Sequence, residues 1–288
     1  MGIVITASAT ATHTDPGTPA SAVELAGRAA RRCLARARVS PSGVGVLVNV
    51  GVYRENNTFE PAVAALVQKE TGINPDYLAD PQPAAGFSFD LMDGACGVLS
   101  AVQAGQSLLA TGTTERILIT AADVHPGGDA SRDPDYPYAD LAGAFLLERD
   151  ADPHTGFGPV RHYGGGDRPT DVAGYLDLAT MGTGGRSRIT VHRTPDHEQH
   201  TAELAAAAIA AYTAEFGLDA GRTLVIGPDT PAGAGDGPGR GRPHTAAPVL
   251  GYLHALEHAR PEGADTLLFV TAGAGPRAAC ASYRPQGW

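Results

Sequence analysis

The chain has 288 residues, of which 43% are apolar, 18% charged and 6% aromatic. This composition predicts a globular protein with one large core or two fused smaller ones, and it excludes a disordered or coiled-coil chain. The formal net charge of -10 argues against nucleic-acid binding, which needs a basic surface.

Other exclusions come from local sequence. The sequence has no run of about 18 apolar residues that would predict a membrane-spanning helix. Its N-terminus lacks the cationic segment of a signal peptide. The three cysteines are odd in number and far apart, without the spacing of a zinc site or a disulfide framework. We therefore expect a cytoplasmic protein without a bound metal or a membrane or nucleic-acid partner.

The first half of the chain alternates predicted helices and strands. A capping box at Ser21 and Glu24 opens a helix with an apolar stripe at helical spacing. A second helix is predicted to be capped by Thr58 and to end at Gly72, and a third follows Cys96. Strands are predicted at residues 44–51, 87–91, 115–123 and 142–150. This order predicts an α/β fold with a mainly parallel sheet.

The second half repeats this order. It contains an Ala-rich helix at 196–216, a strand at 223–229, a helix from His244, and strands at 265–275 and 277–285. Cys96 to Ile117 spans 21 residues, and His244 to Leu267 spans 23. Any α/β protein alternates in this way, but the matched order and spacing favour an internal duplication. We predict two similar halves, 1–150 and 151–288, with Cys96 and His244 at equivalent places.

Cys96 is the first candidate for chemistry. It lies between a predicted strand and a predicted helix, with Gly94 and Gly97 beside it. The partial positive charge of a helix N-terminus lowers a thiol pKa, which favours the nucleophilic thiolate. The alternative is a buried, inert thiol. Packing is the prediction for Cys33 and Cys280, which lie in a helix stripe and a strand.

His244 is the second candidate, at the start of the helix equivalent to the one after Cys96. A histidine within reach of a thiolate can act as its ion-pair partner and as a general acid or base. The alternative is a histidine of a surface loop. His192, His197 and His200 lie in a polar stretch without an acidic or thiol partner at useful spacing, so they predict a helix cap or solvated face rather than a metal site.

A Gly-rich turn at 272–275 follows the strand of the second half. Its backbone N–H groups are suited to hold the oxyanion of a thioester carbonyl. It is not a phosphate loop, because no Gly-Lys-Ser/Thr follows. Residues 235–243 are predicted to be a flexible connection.

Four motifs in order resemble the thiolase fold, and specifically the ketoacyl-acyl-carrier-protein synthase III-like condensing enzymes. They are FSFDLMDGACGVLSAVQAG, ILITAADVH, YADLAGAFLL and TAGAGPRAACASYR. The resemblance implies two pseudo-symmetric α/β halves in a five-layered αβαβα arrangement. It makes Cys96 the nucleophile, places the oxyanion hole at the N–H groups of Cys96 and the Gly273–Ala274 region, and makes His125 a non-catalytic variant.

The sequence departs from the family pattern at the two groups that assist decarboxylative condensation. The family's general-base His is absent from the corresponding residues 226–230, and His244 replaces its Asn. The N-terminus also lacks the family's segment around the substrate entrance. We therefore expect acyl transfer from an acyl-CoA or acyl-carrier-protein thioester, through Cys96 and with His244, to a hydroxyl, amine or thiol.

The resemblance further implies no bound cofactor, dimerisation through the sheet, and a place in bacterial natural-product or polyketide biosynthesis. Two alternatives stay open: a remodelled carbon–carbon condensing enzyme, and a non-catalytic partner subunit in a heterodimer. One predicted helix carries five arginines, which form either a contact for a carrier protein or a solvated face. They are Arg28, Arg31, Arg32, Arg36 and Arg38.

Overall fold

A computed structural model describes most of the chain. It covers residues 1–13, 15, 18–58, 60–73, 86–127, 136–164, 166, 172–175, 179, 185, 189–227, 241–258, 263–273 and 275–287. The predicted flexible connection at 235–243 lies outside the described residues except for 241–243.

Five helices are described, and α4 and α5 start and end close to the prediction. They are α1 (Ala22–Ala37), α2 (Val63–Thr71), α3 (Gly97–Ala110), α4 (His197–Phe216) and α5 (Ala247–Glu257). Ser21 caps α1 by accepting the N–H of Glu24, as its capping box predicts. Within the described ranges, no helix has both the length and the apolar character needed to cross a membrane.

The strands form two main sheets and a hairpin. The first sheet has the order β1-β5-β4-β2-β3, and the second has the order β10-β11-β12-β6, with β7 also paired to β12. The strands are β1 (Gly2–Thr12), β2 (Val46–Asn49), β3 (Phe87–Asp90), β4 (Arg116–Asp123), β5 (Leu141–Asp150), β6 (Gly156–Phe157), β7 (Arg161–Gly164), β8 (Val172–Tyr175), β9 (Thr190–Arg193), β10 (Thr223–Ile226), β11 (Thr266–Gly273) and β12 (Arg277–Arg284).

These elements stack in five layers. Helices α1 and α2 cover the outer face of the first sheet, and α4 covers the outer face of the second. Helices α3 and α5 lie between the sheets and contact both. The largest apolar cluster fills this central layer, and two smaller ones lie under the outer helices. The predicted αβαβα arrangement is therefore confirmed.

The prediction of a mainly parallel sheet is wrong. Only β2–β3, β2–β4 and β10–β11 are parallel among the described strand pairs, and both sheets are mixed. For one antiparallel pair the reason is the connection between β11 and β12, which has only residues 274–276. A parallel pair needs a crossover of a dozen or more residues, so these strands must be antiparallel.

Two local features also differ from the prediction. Thr58 does not cap α2; the carboxylate of Asp90, at the end of β3, accepts the N–H groups of Val63 and Ala64 at 2.8 and 3.0 Å. No element is predicted for β1, which pairs antiparallel with β5 along its whole length. Small and polar residues in β1 give no apolar run, so its burial comes from tertiary packing.

The two main sheets share an order of corresponding strands. In the first, β5-β4-β2 pair antiparallel and then parallel, and in the second β12-β11-β10 do the same. This order brings the last residue of β4, Asp123, and the last residue of β11, Gly273, to corresponding positions. The boundary between halves at residue 150 stays a prediction.

Candidate functional site

Cys96 ends a short 3-10 turn between β3 and α3, where the sequence places the nucleophile. Its side chain is buried, and the Sγ–H group donates to the carbonyl of Arg277 at 3.8 Å. Behind it, the Cα of Gly97 lies against Val50, because a Cβ built on this glycine would be 3.0 Å from the Val50 Cβ. The thiol is thus held within the central layer, at the N-terminal end of α3.

The protonation of Cys96 differs from the sequence expectation. Burial raises the thiol pKa to about 11, against the lowering expected from a helix N-terminus. Desolvation outweighs the opposing effects of Thr271 and the Arg277 charge, which lower the pKa, and Asp93 raises it further. The resting thiol is therefore protonated at neutral pH.

The end of β11 lies directly against the Cys96 turn. A Cβ built on Gly273 would be 2.9 Å from the Cβ of Ala95, so only glycine allows this approach. The Cys96 N–H group donates to the carbonyl of Asp93 at 3.0 Å, a bond that an oxyanion would have to share. Ala274, the other predicted oxyanion residue, lies outside the described residues.

Thr271 contributes a buried hydroxyl to the same region. It is 3% exposed, and its Oγ1 makes no hydrogen bond of ordinary geometry to any described residue. The hydroxyl nevertheless lies close enough to the thiol to lower the pKa of Cys96. It is a donor available to a thiolate.

His244 belongs to a second cluster of polar side chains, which lies at the end of β4. Its Nδ1 lies 3.3 Å from Oδ2 of Asp123, and the two side chains are 12% and 3% exposed. Asp123 also accepts both the N–H and the hydroxyl of Thr245 on Oδ2, and the N–H groups of Val52 and Tyr53 on Oδ1. Although burial opposes it, the His244 charge and these hydrogen bonds lower the pKa of Asp123 to about 2.

Aromatic rings enclose this histidine. The His244 ring stacks on Tyr138 with centroids 4.2 Å apart and lies 5.5 Å from Tyr53. Tyr136 packs edge-on against Tyr53, Tyr138 and His125. Burial raises the pKa of all three tyrosines, so they are neutral at physiological pH. The histidine therefore lies in a largely apolar environment.

A four-residue segment, 50–53, lies between the residues around Cys96 and the residues around His244. Val50 packs against Gly97 beside the thiol, and the N–H group of Tyr53 binds Asp123. Gly51 lets the segment lie on β4, since a Cβ there would be 2.1 Å from the carbonyl oxygen of Ala122. Because three residue steps span at most about 11 Å, both groups border the same small region.

The structure does not bring Cys96 and His244 into direct contact. Among the described residues, the thiol interacts with Thr271, Asp93 and Arg277, and the imidazole with Asp123. The hypothesis of a thiolate–imidazolium ion pair therefore has no support in the resting structure. Arg277 instead binds Asp93 at 2.8 Å, so its charge is already paired.

The remaining candidates lie elsewhere. Cys33 and Cys280 are fully buried in the outer clusters, as predicted. His192 and His197 line a cavity of about 450 Å³, and within the described parts of the chain no group of three metal-ligating side chains occurs. The expected position of the family's base is residues 226–230, of which 228–230 are outside the described residues.

Four of the five arginines lie in α1 and the fifth, Arg38, is its C-terminal cap; three of the four in the helix are engaged within the fold. Arg31 binds Glu70, and Arg32 and Arg36 donate to the carbonyls of Thr10 and Ser8.

Sequence reasoning missed Asp123 and Thr271. Both were assigned only to buried strands. A signal for Asp123 was available: a carboxylate at the end of an otherwise apolar strand must find partners. Thr271 carries no such signal, because threonine is common in strands.

Comparisons with known proteins agree with this fold. No protein-family model matches the chain. The β-ketoacyl-[acyl-carrier-protein] synthases III of Brucella canis and Brucella suis are 31% identical over 128 residues, 44% of this chain and 36% of each relative. The match thus spans about a third of the length of these relatives.

Solved structures match over nearly the whole chain. The 3-oxoacyl-(acyl carrier protein) synthase III of Pseudomonas aeruginosa has a TM-score of 0.75 at 16% identity and covers 99% of this chain and 98% of its own. A priming β-ketosynthase from a polyketide biosynthetic pathway has a TM-score of 0.71 at 15% identity, covering 98% and 96%. A tetronic acid condensing enzyme has a TM-score of 0.71 at 19% identity, covering 97% and 99%.

Proposed function

Because this chain has the fold of the ketoacyl synthase III-like condensing enzymes, we propose that it is a thioester-dependent acyltransferase of that type. The observation that carries the proposal is a buried Cys96 at the turn before α3, with the end of β11 packed against it. A separate buried histidine–carboxylate pair borders the same region. Cys96 as nucleophile and His244 as base, on opposite sides of the segment 50–53, suit a transfer in which the cysteine is first acylated and the acyl group then passes to an acceptor.

In the first step, the Cys96 sulfur attacks the acyl carbon of a CoA or carrier-protein thioester. The new S–C bond forms, the bond to the leaving thiol breaks, and the proton of Cys96 passes to that leaving thiolate. The exchange is nearly balanced, because each side holds one thioester and one thiol. The raised pKa of Cys96 keeps its thiolate fraction small at neutral pH and so limits the rate of attack. Thr271 and the Cys96 N–H group are the donors that stabilise developing negative charge.

In the second step, an acceptor hydroxyl, amine or thiol attacks acyl-Cys96. His244 takes the acceptor proton as general base, while the electron pair of the breaking C–S bond returns to Cys96. The tyrosine rings around His244 exclude water, which favours transfer to a bound acceptor over hydrolysis.

The proposal includes the setting of the reaction. The substrates are acyl-CoA or acyl-carrier-protein thioesters with no bound cofactor, in the cytoplasm, and the chain acts as a homodimer or a heterodimer. The likeness to a priming β-ketosynthase and a tetronic acid condensing enzyme supports a role in natural-product assembly. Arg28 in α1 and Arg38 at its C-terminal cap are the two arginines of this group that would be left for a carrier protein.

The test is intact-protein mass spectrometry after incubation with a panel of acyl-CoA and acyl-carrier thioesters. We expect an acyl adduct on the wild type that is absent from Cys96→Ala. The matched control is Cys33→Ala, which removes another buried thiol on the far side of the first sheet and should keep the adduct. No adduct across the panel, with a thiol also inert to iodoacetamide, would refute the proposal.

A non-catalytic partner subunit is the second candidate, and the raised pKa of Cys96 favours it. It predicts a thiol that never acylates and a chain that co-purifies with a second thiolase-fold protein. A remodelled condensing enzyme is the third alternative; it would form acyl-Cys96 but release a carbon–carbon product when a malonyl thioester is supplied.

A further inference from the structure

Asp123 is a buried carboxylate whose two oxygens are fully occupied. Oδ1 accepts the N–H groups of Val52 and Tyr53, each at 2.9 Å. Oδ2 accepts the N–H group and the hydroxyl of Thr245, and it faces Nδ1 of His244. These hydrogen bonds fix the position of the carboxylate, because donors reach it from two segments of the chain.

The polarity of these contacts determines the proton on His244. Asp123 is an ionised acceptor, since three backbone N–H groups and the Thr245 hydroxyl donate to its two oxygens, and an ionised carboxylate can only accept hydrogen bonds. Nδ1 of the neutral imidazole must therefore carry the hydrogen. Nε2 makes no hydrogen bond to any described residue, and it is then the free acceptor.

We propose that Asp123 is the positioning residue that makes His244 a base, by holding its imidazole in the Nδ1–H tautomer with Nε2 unprotonated. This inference rests on the proposed acyl transfer for its catalytic consequence. The acceptor proton moves to Nε2, the imidazolium is stabilised by the carboxylate, and Asp123 itself carries no proton at any step. After the C–S bond breaks, the proton returns from Nε2 to the Cys96 thiolate.

Thr245 helps to hold the same carboxylate and the neighbouring imidazole in place. It follows His244 directly, is fully buried, and binds the same carboxylate oxygen through two donors. The residue pair before His244 is fixed to the segment 136–139, since the Arg242 N–H group donates to the carbonyl of Pro137 and the Ala139 N–H group donates to that of Arg242. The imidazole therefore has its backbone, its ring face and its Nδ1 held independently.

The test is Asp123→Asn, which keeps the shape of the side chain and replaces one acceptor oxygen by a hydrogen-bond donor. The amide NH₂ will replace Oδ2 rather than Oδ1, because the Oδ1 side receives two backbone N–H groups and the Oδ2 side only one. The NH₂ then donates to Nδ1, and the imidazole proton moves to Nε2. Histidine ¹⁵N NMR, followed upward in pH until the His244 signals stop shifting, reads the tautomer of the neutral imidazole directly.

We expect the Nδ1–H tautomer in the wild type and the Nε2–H tautomer in the variant, with the His244 signals assigned from a His244→Gln spectrum. The matched control is Asp90→Asn, which alters a carboxylate that also accepts two backbone N–H groups but does not contact the histidine. This control should leave the His244 tautomer unchanged. A wild-type Nε2–H tautomer, or the same tautomer in both proteins, would overturn the inference.

A kinetic readout accompanies the spectrum. Acetylation of Cys96 in Asp123→Asn should stay within about twofold of the wild type, whereas loss of the acetyl group to water or butan-1-ol should slow by about 10²–10⁴-fold, the usual contribution of a general base. Hydroxylamine, which needs no base, should cleave both adducts equally. Equal loss to water in both proteins would refute the role of Asp123.

The two proposals fail separately. If Cys96 takes no acyl group from any donor, the proposed function fails, and the NMR tautomer still decides the inference about Asp123. If Asp123→Asn does not fold, the wild-type spectrum decides it, since an Nε2–H imidazole at His244 is incompatible with a carboxylate that holds Nδ1–H.

Discussion

Replacing Thr271 by valine is expected to change stability and reactivity in opposite directions. The hydroxyl is buried without an ordinary hydrogen-bond partner among the described residues. An unsatisfied buried hydroxyl costs about 1–3 kcal/mol, and valine fills nearly the same volume without that cost. We therefore expect Thr271→Val to stabilise the fold by about 1 kcal/mol, a rise in Tm of about 2–4 °C.

The reactivity of Cys96 should fall in the same variant. The Thr271 hydroxyl lowers the thiol pKa, and a hydrogen bond to a charged group contributes about 1.5–3 kcal/mol. Its loss should raise the pKa by about one to two units, so alkylation by iodoacetamide at a fixed pH should slow by about 10–100-fold. Differential scanning calorimetry and site-resolved mass spectrometry measure the two effects.

A matched control separates this reasoning from a general effect of removing a threonine hydroxyl. Thr120 in β4 is also fully buried, but its hydroxyl donates to the side-chain oxygen of Asn49 at 3.2 Å. Thr120→Val should therefore destabilise the fold by about 1 kcal/mol and leave the reactivity of Cys96 unchanged. A Thr271→Val protein that is less stable, or that reacts with iodoacetamide at the wild-type rate, would show that the hydroxyl does not serve the thiol.

Two further predictions concern the same turn. Burial raises the pKa of Cys96 to about 11, so its thiolate fraction should increase tenfold per pH unit up to about pH 10. The rate of alkylation by iodoacetamide should increase in the same proportion. A plateau of this rate near pH 8.5 would contradict the raised pKa. Gly273→Ala should slow acylation of Cys96 and cost about 1–3 kcal/mol of stability, because the new Cβ would lie 2.9 Å from that of Ala95. Adding Ala95→Gly removes this clash and should restore the acylation rate. A double variant that stays slow would show that the clash is not the cause.

The parts of this protein that the sequence predicted are those encoded locally. The Ser21 cap, the glycine that ends α2 and the apolar runs of β4 and β5 depend on residues a few positions apart. The turn and helix around Cys96 were predicted in the same way, since the turn, its flanking glycines and the helix after it are contiguous; the role of the cysteine stays a prediction. The mixed sheets were missed because strand direction depends on connections, and the apolar runs carry no information about direction.

The missed parts of the site are contacts between distant residues. Asp123 and His244 are 121 residues apart, and the Arg277 carbonyl that accepts the Cys96 thiol is 181 residues away. The pKa of Cys96 also depended on burial, which the helix N-terminus argument did not include. A cysteine at such a turn is therefore identifiable from sequence as a candidate, whereas its protonation state is not.

The arrangement of these partners gives the site a property that neither half of the chain has by itself. Cys96 precedes α3 in the first half, but Thr271 and the Arg277 carbonyl, which contact its thiol, and Gly273, which lies against the adjacent Ala95, belong to the second. His244 precedes α5 in the second half, but the carboxylate that holds it ends β4 in the first. Each half thus supplies the strand end that contacts the proposed reactive residue of the other half, so the proposed site needs both sheets packed on the shared central helices. Substitutions that loosen α3 or α5 should therefore reduce acylation and deacylation together, whereas Thr271→Val should affect the first and Asp123→Asn the second.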